Sequence, residues 1–152
     1  YHVTCHGPDG KLKWEDDIEN LVTTAGKNDL LDKYLSGSAY TAAWYLGLVA
    51  SSPTYNAADT MSSHAGWTES TVYSNSTRVA ASWNSAASAS KASNAAAFNI
   101  NASGTVAGCF LTTGSAKSGT TGILYSAGTF TGGARAVDNG DTMNVTYTGS
   151  LT

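Results

Sequence analysis

The chain has 152 residues, of which 41% are hydrophobic and 12% charged, with a formal net charge of −3. That length suffices for one domain with one core, and the charged fraction is about half the roughly 25% of an average soluble domain. Eight Lys and Arg without a cluster argue against a nucleic-acid footprint, which needs a basic patch, and no apolar run approaches the ~20 residues of a membrane-spanning helix.

In chain order, "YHVTCH" alternates and reads as a strand, and "GPDG" at Gly7 to Gly10 reads as a turn. "KLKWEDDIENLV" alternates again, which completes an N-terminal β-hairpin. Asp16 falls on the face of Leu12, Trp14 and Ile18, so a bulge or strand end is expected near residues 15–17. "GKNDLLDKYLSG" is the best helix, placed near residues 26–36. Asn28 can cap it, Gly37 suits its C-terminus, and Leu30, Leu31, Tyr34 and Leu35 form a stripe expected to be buried.

"YTAAWYLGLVAS" is apolar throughout, as in a central strand covered on both sides. Residues 52–70 form a long loop with one helical turn at 59–64. Alternation resumes at Val72, breaks at a polar turn, and returns at Val79 and Trp83. "NSAASASKASNAAA" reads either as flexible chain or as a small-residue strand at a subunit contact. "AFNINASGTVAGCFLTT" reads as a hairpin turning at Asn101 to Gly104, followed by the strand "ILYSAGTF". Asn139-Gly140 then predicts a tight hairpin turn between Ala136-Val137 and Met143-Val145-Tyr147. Many short strands with one helix predict a mainly-β chain over residues 1–152, a single antiparallel β-sandwich of jelly-roll or immunoglobulin-like type. Its expected core contains Leu31, Leu35, Trp44, Leu46, Leu48, Phe98, Phe110, Leu124 and Val145.

Candidate chemistry is sparse. His2, Cys5 and His6 are zinc-type ligands, but on a strand Cys5 points away from the two histidines. Glu15, Asp17 and Glu19 could line a calcium or acid–base face, although acids beside a turn more often form a solvated strand edge. Asp59, Ser62, Ser63 and His64 have the residue types of a hydrolase triad. They share one short loop, with no nucleophile elbow or phosphate-binding glycine pattern elsewhere. His64 therefore reads as a hydrogen-bonded loop residue. Trp14, Trp44, Trp67 and Trp83 are scattered along the chain rather than grouped as a sugar platform. Cys5 and Cys109 are expected as two thiols, with one disulfide left open. No catalytic residue, metal or cofactor is expected.

One resemblance adds to this reading. "NLVTTAGKNDLLDKYL", "AAWYLGLV", "AADTMSSHAGWTE", "AAFNINASGTVAGCFLTT", "TTGILYSAGTFTGG" and "VDNGDTMNVTYT" occur in this order. Together they resemble a family of small virion structural proteins of tailed bacteriophages. The resemblance spans nearly the whole chain and is weakest over residues 79–93. It implies a non-enzymatic protein at the capsid surface, a decoration or cement protein that bridges major capsid protein subunits. Its expected partners are the major capsid protein and copies of itself as a homo-oligomer in the particle, without nucleic acid or membrane. A tail or fibre component and a carbohydrate-binding β-sandwich module are the alternatives. On this reading the helix plugs one end of the sandwich. The candidate subunit contacts are Trp14 and the small residues Ala86, Ala89 and Ala92.

Overall fold

The computed structural model describes residues 1–37, 39–40, 43–50 and 53–151. One sheet joins β2 (Leu12–Asp17), β1 (His2–His6), β13 (Thr142–Thr146) and β8 (Ala96–Asn99) in that order. The other joins β3 (Leu21–Val22), β11 (Leu124–Thr129), β10 (Gly108–Thr112), β4 (Tyr45–Val49) and β5 (Glu69–Ser70), with β6 (Val79–Ala80) also on β4. Two short ribbons pair β9 (Gly104–Val106) with β12 (Arg135–Val137) and β7 (Ser90–Ala92) with β14 (Thr148–Ser150). Every pairing is antiparallel. The chain is a mainly-β antiparallel sandwich with one short helix, as its patterning predicts.

Strand alternation builds the core. Val3, Cys5, Phe98, Met143 and Val145 from the first sheet pack with Leu46, Leu48, Cys109 and Leu111 from the second. The register sets Val3 opposite Val145 and Cys5 opposite Met143. Val49, Phe110, Leu124 and Ala127 use the second sheet's other face, where they pack with Met61 and Trp67. Residues 53–68 thus cap that sheet, and β4 and β10 are buried on both sides, which explains their unbroken apolar runs. The ends of the predicted β4 run, residues 41–42 and 51, lie outside the described residues.

Several local expectations are corrected. β8 does not hairpin with the strand that follows. It pairs with β13, whereas β9 and β10 pair with β12 and with β4 and β11. Asn139-Gly140 does form a turn, with Asp141 N donating to Asp138 O at 3.0 Å, but the strands it joins belong to different sheets. In both places the chain passes from one sheet to another. Residues 59–64 form a tight turn closed by reciprocal Thr60 and Ser63 backbone bonds, not a helical turn. Trp44 is half-buried rather than enclosed.

β2 stops at Asp17, the strand end expected there, and Leu21–Val22 joins the second sheet instead of extending β2. Asp16 keeps its inward place beside that end, and the register irregularity lies two pairs beyond its own, between Cys5 and His6. Its carboxylate accepts from Thr131 N, Thr131 Oγ1 and Arg135 Nη2, so the buried charge is partnered. Burial by itself pushes its pKa up, but the hydrogen bonds from Thr131, Arg135 and Gly132 outweigh that and hold it below the usual carboxylate value.

The helix α1 (Thr24–Leu35) departs most from expectation. Its cap is Thr23, whose Oγ1 accepts from Gly26 N at 3.0 Å, not Asn28. Gly37 takes the expected left-handed conformation just past the C-terminus, with φ 61. The apolar stripe, however, points outward: Leu30 is 43%, Leu31 52%, Tyr34 84% and Leu35 72% exposed. The helix docks through its first turn. Thr23 N donates to Tyr125 O and Thr24 N to Ala57 O, and Gly26 lies against the β11 backbone. Asp29 and Lys33 turn toward the protein beside Gly26, so the stripe one face around is left uncovered.

A Cβ on Gly26 would stand 2.6 Å from Tyr125 O. Gly26→Ala gains about 1 kcal/mol of helix propensity, yet overpacking against immovable backbone costs about 1–3 kcal/mol. A net loss of stability is expected in urea unfolding, and a stabilised variant would contradict this docking. Because the folded-state pKa of Asp16 is depressed, its contribution to stability is present above the unfolded value and lost as pH falls through the folded one. Asp16→Asn should lower stability by roughly 1–3 kcal/mol at neutral pH. In melting curves its deficit should narrow as pH falls below about 4, the unfolded-state value, toward the lower folded-state pKa.

Candidate functional site

Beside α1 lies a groove of about 810 Å³. Leu30, Lys33 and Tyr34 of the helix form one wall. The second wall comes from Ala86, Ala89 and the β7–β14 ribbon, and Leu111, Tyr125 and Tyr147 contribute from the sandwich. Trp44, just before β4, and Trp83, just after β6, complete the aromatic lining. The rings meet edge to face: Trp44 on Tyr125 at 5.4 Å, Tyr125 on Tyr147 at 6.4 Å, and Trp83 on Tyr147 at 6.0 Å. Trp44 Nε1 donates to Tyr40 Oη at 3.1 Å.

The polar groups of this groove are mostly committed. Lys33 Nζ donates to Ala39 O and lies 3.7 Å from Asp29, while Lys91 Nζ donates to Asn84 O at 2.7 Å. Burial raises the pKa values of the Tyr125 and Tyr147 hydroxyls, with the charge of Asp29 adding to the effect on Tyr125. The site therefore offers mainly apolar and aromatic surface.

The ribbon wall stores strain. Ala87 and Ser90 exchange two backbone bonds of 2.9 Å around a two-residue turn. Its central residues, Ser88 and Ala89, both have left-handed backbone, φ 50 and 56. This type I′ geometry favours Asn-Gly, and each ordinary residue held there costs on the order of 1 kcal/mol.

The six apolar side chains Leu30, Leu31, Tyr34, Leu35, Tyr40 and Leu151 are exposed along this groove or on its helical wall. Among the described residues only Leu12 and Leu21 are other large hydrophobics of comparable exposure. The contact candidates read from sequence divide. Ala86 and Ala89 line the groove, whereas Ala92 is half-buried inside β7 opposite Thr148. Trp14 belongs elsewhere, packed edge-on against Phe130 with Nε1 donating to Ala136 O. The scatter of tryptophans along the chain concealed that Trp44 and Trp83 share a site. No sequence period marks it, because its rings come from four separate segments.

The remaining candidates have other duties. Cys5 faces the core and the two histidines do not, and His2 Nδ1 lies 2.9 Å from Asp17. Both cysteines are free and buried. Burial pushes each thiol up to about 12, helped at Cys5 by the charge of Asp141. Glu15, Asp17 and Glu19 are exposed. Lys13 Nζ bridges Asp138 and Asp141, at 2.9 and 2.6 Å. His64 stacks on Trp67 with centroids 4.0 Å apart, and its Nδ1 meets Trp67 O. The Asp59 carboxylate accepts from Trp67 Nε1, while Ser62 pairs with Thr60. These contacts hold the loop over Phe110 and do not align a triad. Among the described residues no group of three or more His, Cys, Asp or Glu is placed to hold a metal. No protein-family model matches the chain, and no curated protein matches its sequence.

Replacing the strained turn with Ser88→Asn/Ala89→Gly should raise stability by about 1 kcal/mol, because both positions then accept left-handed backbone. Equilibrium denaturation checks this, and an unchanged or lower midpoint would deny the turn geometry.

Proposed function

We propose that the chain is a structural protein of a tailed-bacteriophage particle, one that decorates the capsid and bridges major capsid protein subunits. The observation that carries this reading is the exposed apolar face of α1 and its groove on an otherwise charge-poor sandwich. Contiguous apolar patches of this kind are common at protein contacts, which supports coverage of this face by another protein. The resemblance of the motif order to that of small phage virion proteins supports this setting.

Bridging needs more than one contact surface per copy. The N-terminal hairpin, with exposed Leu12 and half-buried Trp14, is a second surface on different elements from the helix. Around the groove, residues 84–89 are exposed and small. Ordering such side chains at a contact loses little rotamer entropy, because Ala has none to lose. With 12% charged residues there is also little Coulomb attraction for salt to screen.

The grouping of Trp44, Trp83, Tyr125 and Tyr147 favours a second reading, a carbohydrate-binding module. Their edge-to-face packing supports it less than coplanar exposed rings would.

Purified particles should contain this chain in hundreds of copies and retain it in high salt. Particles lacking it should release DNA at a lower temperature. A few copies per particle, loss in moderate salt, or equal heat stability without the chain would reject the cement role.

A further inference from the structure

We infer that the outward face of α1 and the groove beside it form a two-fold contact between two copies of this chain. The inference rests on reading that face as a protein contact, and it names the protein that covers it.

Shape comes first. A ridge of Leu31, Tyr34 and Leu35 stands directly beside a concave aromatic groove. Under a two-fold axis one patch must complement itself, so a projection and a hollow side by side suit a second copy. Each ridge then enters the other copy's groove, and the contact is made twice.

Area agrees. The six exposed apolar side chains leave roughly 500–700 Å² in water, judged from typical side-chain areas. A standard interface takes about 800 Å² from each partner, which groove walls such as Trp83 and Ala89 bring within reach. Charge does not oppose it. Helix α1 carries Lys27, Asp29, Asp32 and Lys33, two of each sign, so its pairing sets no net like charge face to face. Antiparallel helices across the axis also place each positive N-terminus near the other's negative C-terminus.

Sedimentation equilibrium of the full chain in the micromolar range should therefore show a dimer. Leu31→Asp/Leu35→Asp places charge on the ridge and should weaken the dimer by at least ~100-fold, as for centrally placed contact residues. Its circular dichroism should stay native, because both side chains already face water in one copy. If the double variant melts early, Leu35→Asp alone, at the more exposed position, reads the same contact. Leu12→Asp, on β2, should leave the dimer intact. A monomeric wild type, a trimer or larger species, or a dimer indifferent to the ridge variants overturns the inference. So does a monomer whose Trp44 and Trp83 fluorescence is altered by isolated major capsid protein or by an oligosaccharide, since either assigns the groove to a different occupant. The capsid role fails independently, on particle composition and heat release.

Discussion

Helix α1 reaches the sandwich through a single glycine. Gly26 lies so close to the β11 backbone that no side chain fits between them. The first turn is fixed there by Thr23 and Thr24, which donate to Tyr125 O and Ala57 O. A helix held so tightly at one end cannot also roll its leucines onto the sheet. The rotation that admits Gly26, Asp29 and Lys33 to the protein side carries Leu30, Leu31, Tyr34 and Leu35 outward. The gap between helix and ribbon follows from the same constraint, and that gap is the groove.

The scaffold beneath this arrangement tolerates an uncovered face because its stability lies elsewhere. Two apolar layers, one between the sheets and one under residues 53–68, bury β10 and all of β4 but its first residue, Tyr45. Buried charges then lock the connections. Arg78 donates twice to Glu69 and also to Gly114 O and Gly119 O, so one side chain ties the loop over residues 114–119 to the second sheet. Asp16 does the same for residues 131–135 at the first sheet. Such ions are desolvated at a cost that only full hydrogen bonding offsets, and each has multiple partners. Loops held this way give the molecule firm surfaces.

Firmness extends to the groove's ribbon wall. Ser88 and Ala89 are kept in left-handed backbone by the pairing of β7 with β14 and by the bond from Leu151 N to Ala89 O. Strain of this kind persists where the surroundings over-determine the conformation, and it concentrates at contact and ligand sites. An unpartnered helix face and clustered rings lie on this same side of the molecule.

The sequence by itself determined most of the longer strands, the presence of one helix, the turns at Gly7 to Gly10 and Asn139-Gly140, and the core positions Leu46, Leu48, Phe98, Phe110, Leu124 and Val145. Those features follow from local periods and turn chemistry, which act within a few residues. Apart from the β1–β2 hairpin, tertiary structure decided which strands pair, since the runs around β8 to β10 and β12 to β13 look like hairpins until other sheets compete for them. It also decided the helix's orientation. A 3.6-residue period identifies an apolar face but not what lies opposite it, and here a backbone-to-backbone approach at Gly26 overrode the burial of four large side chains. The grouping of Trp44, Trp83, Tyr125 and Tyr147 depended on the fold for the same reason: contacts between residues tens of positions apart leave no periodic trace.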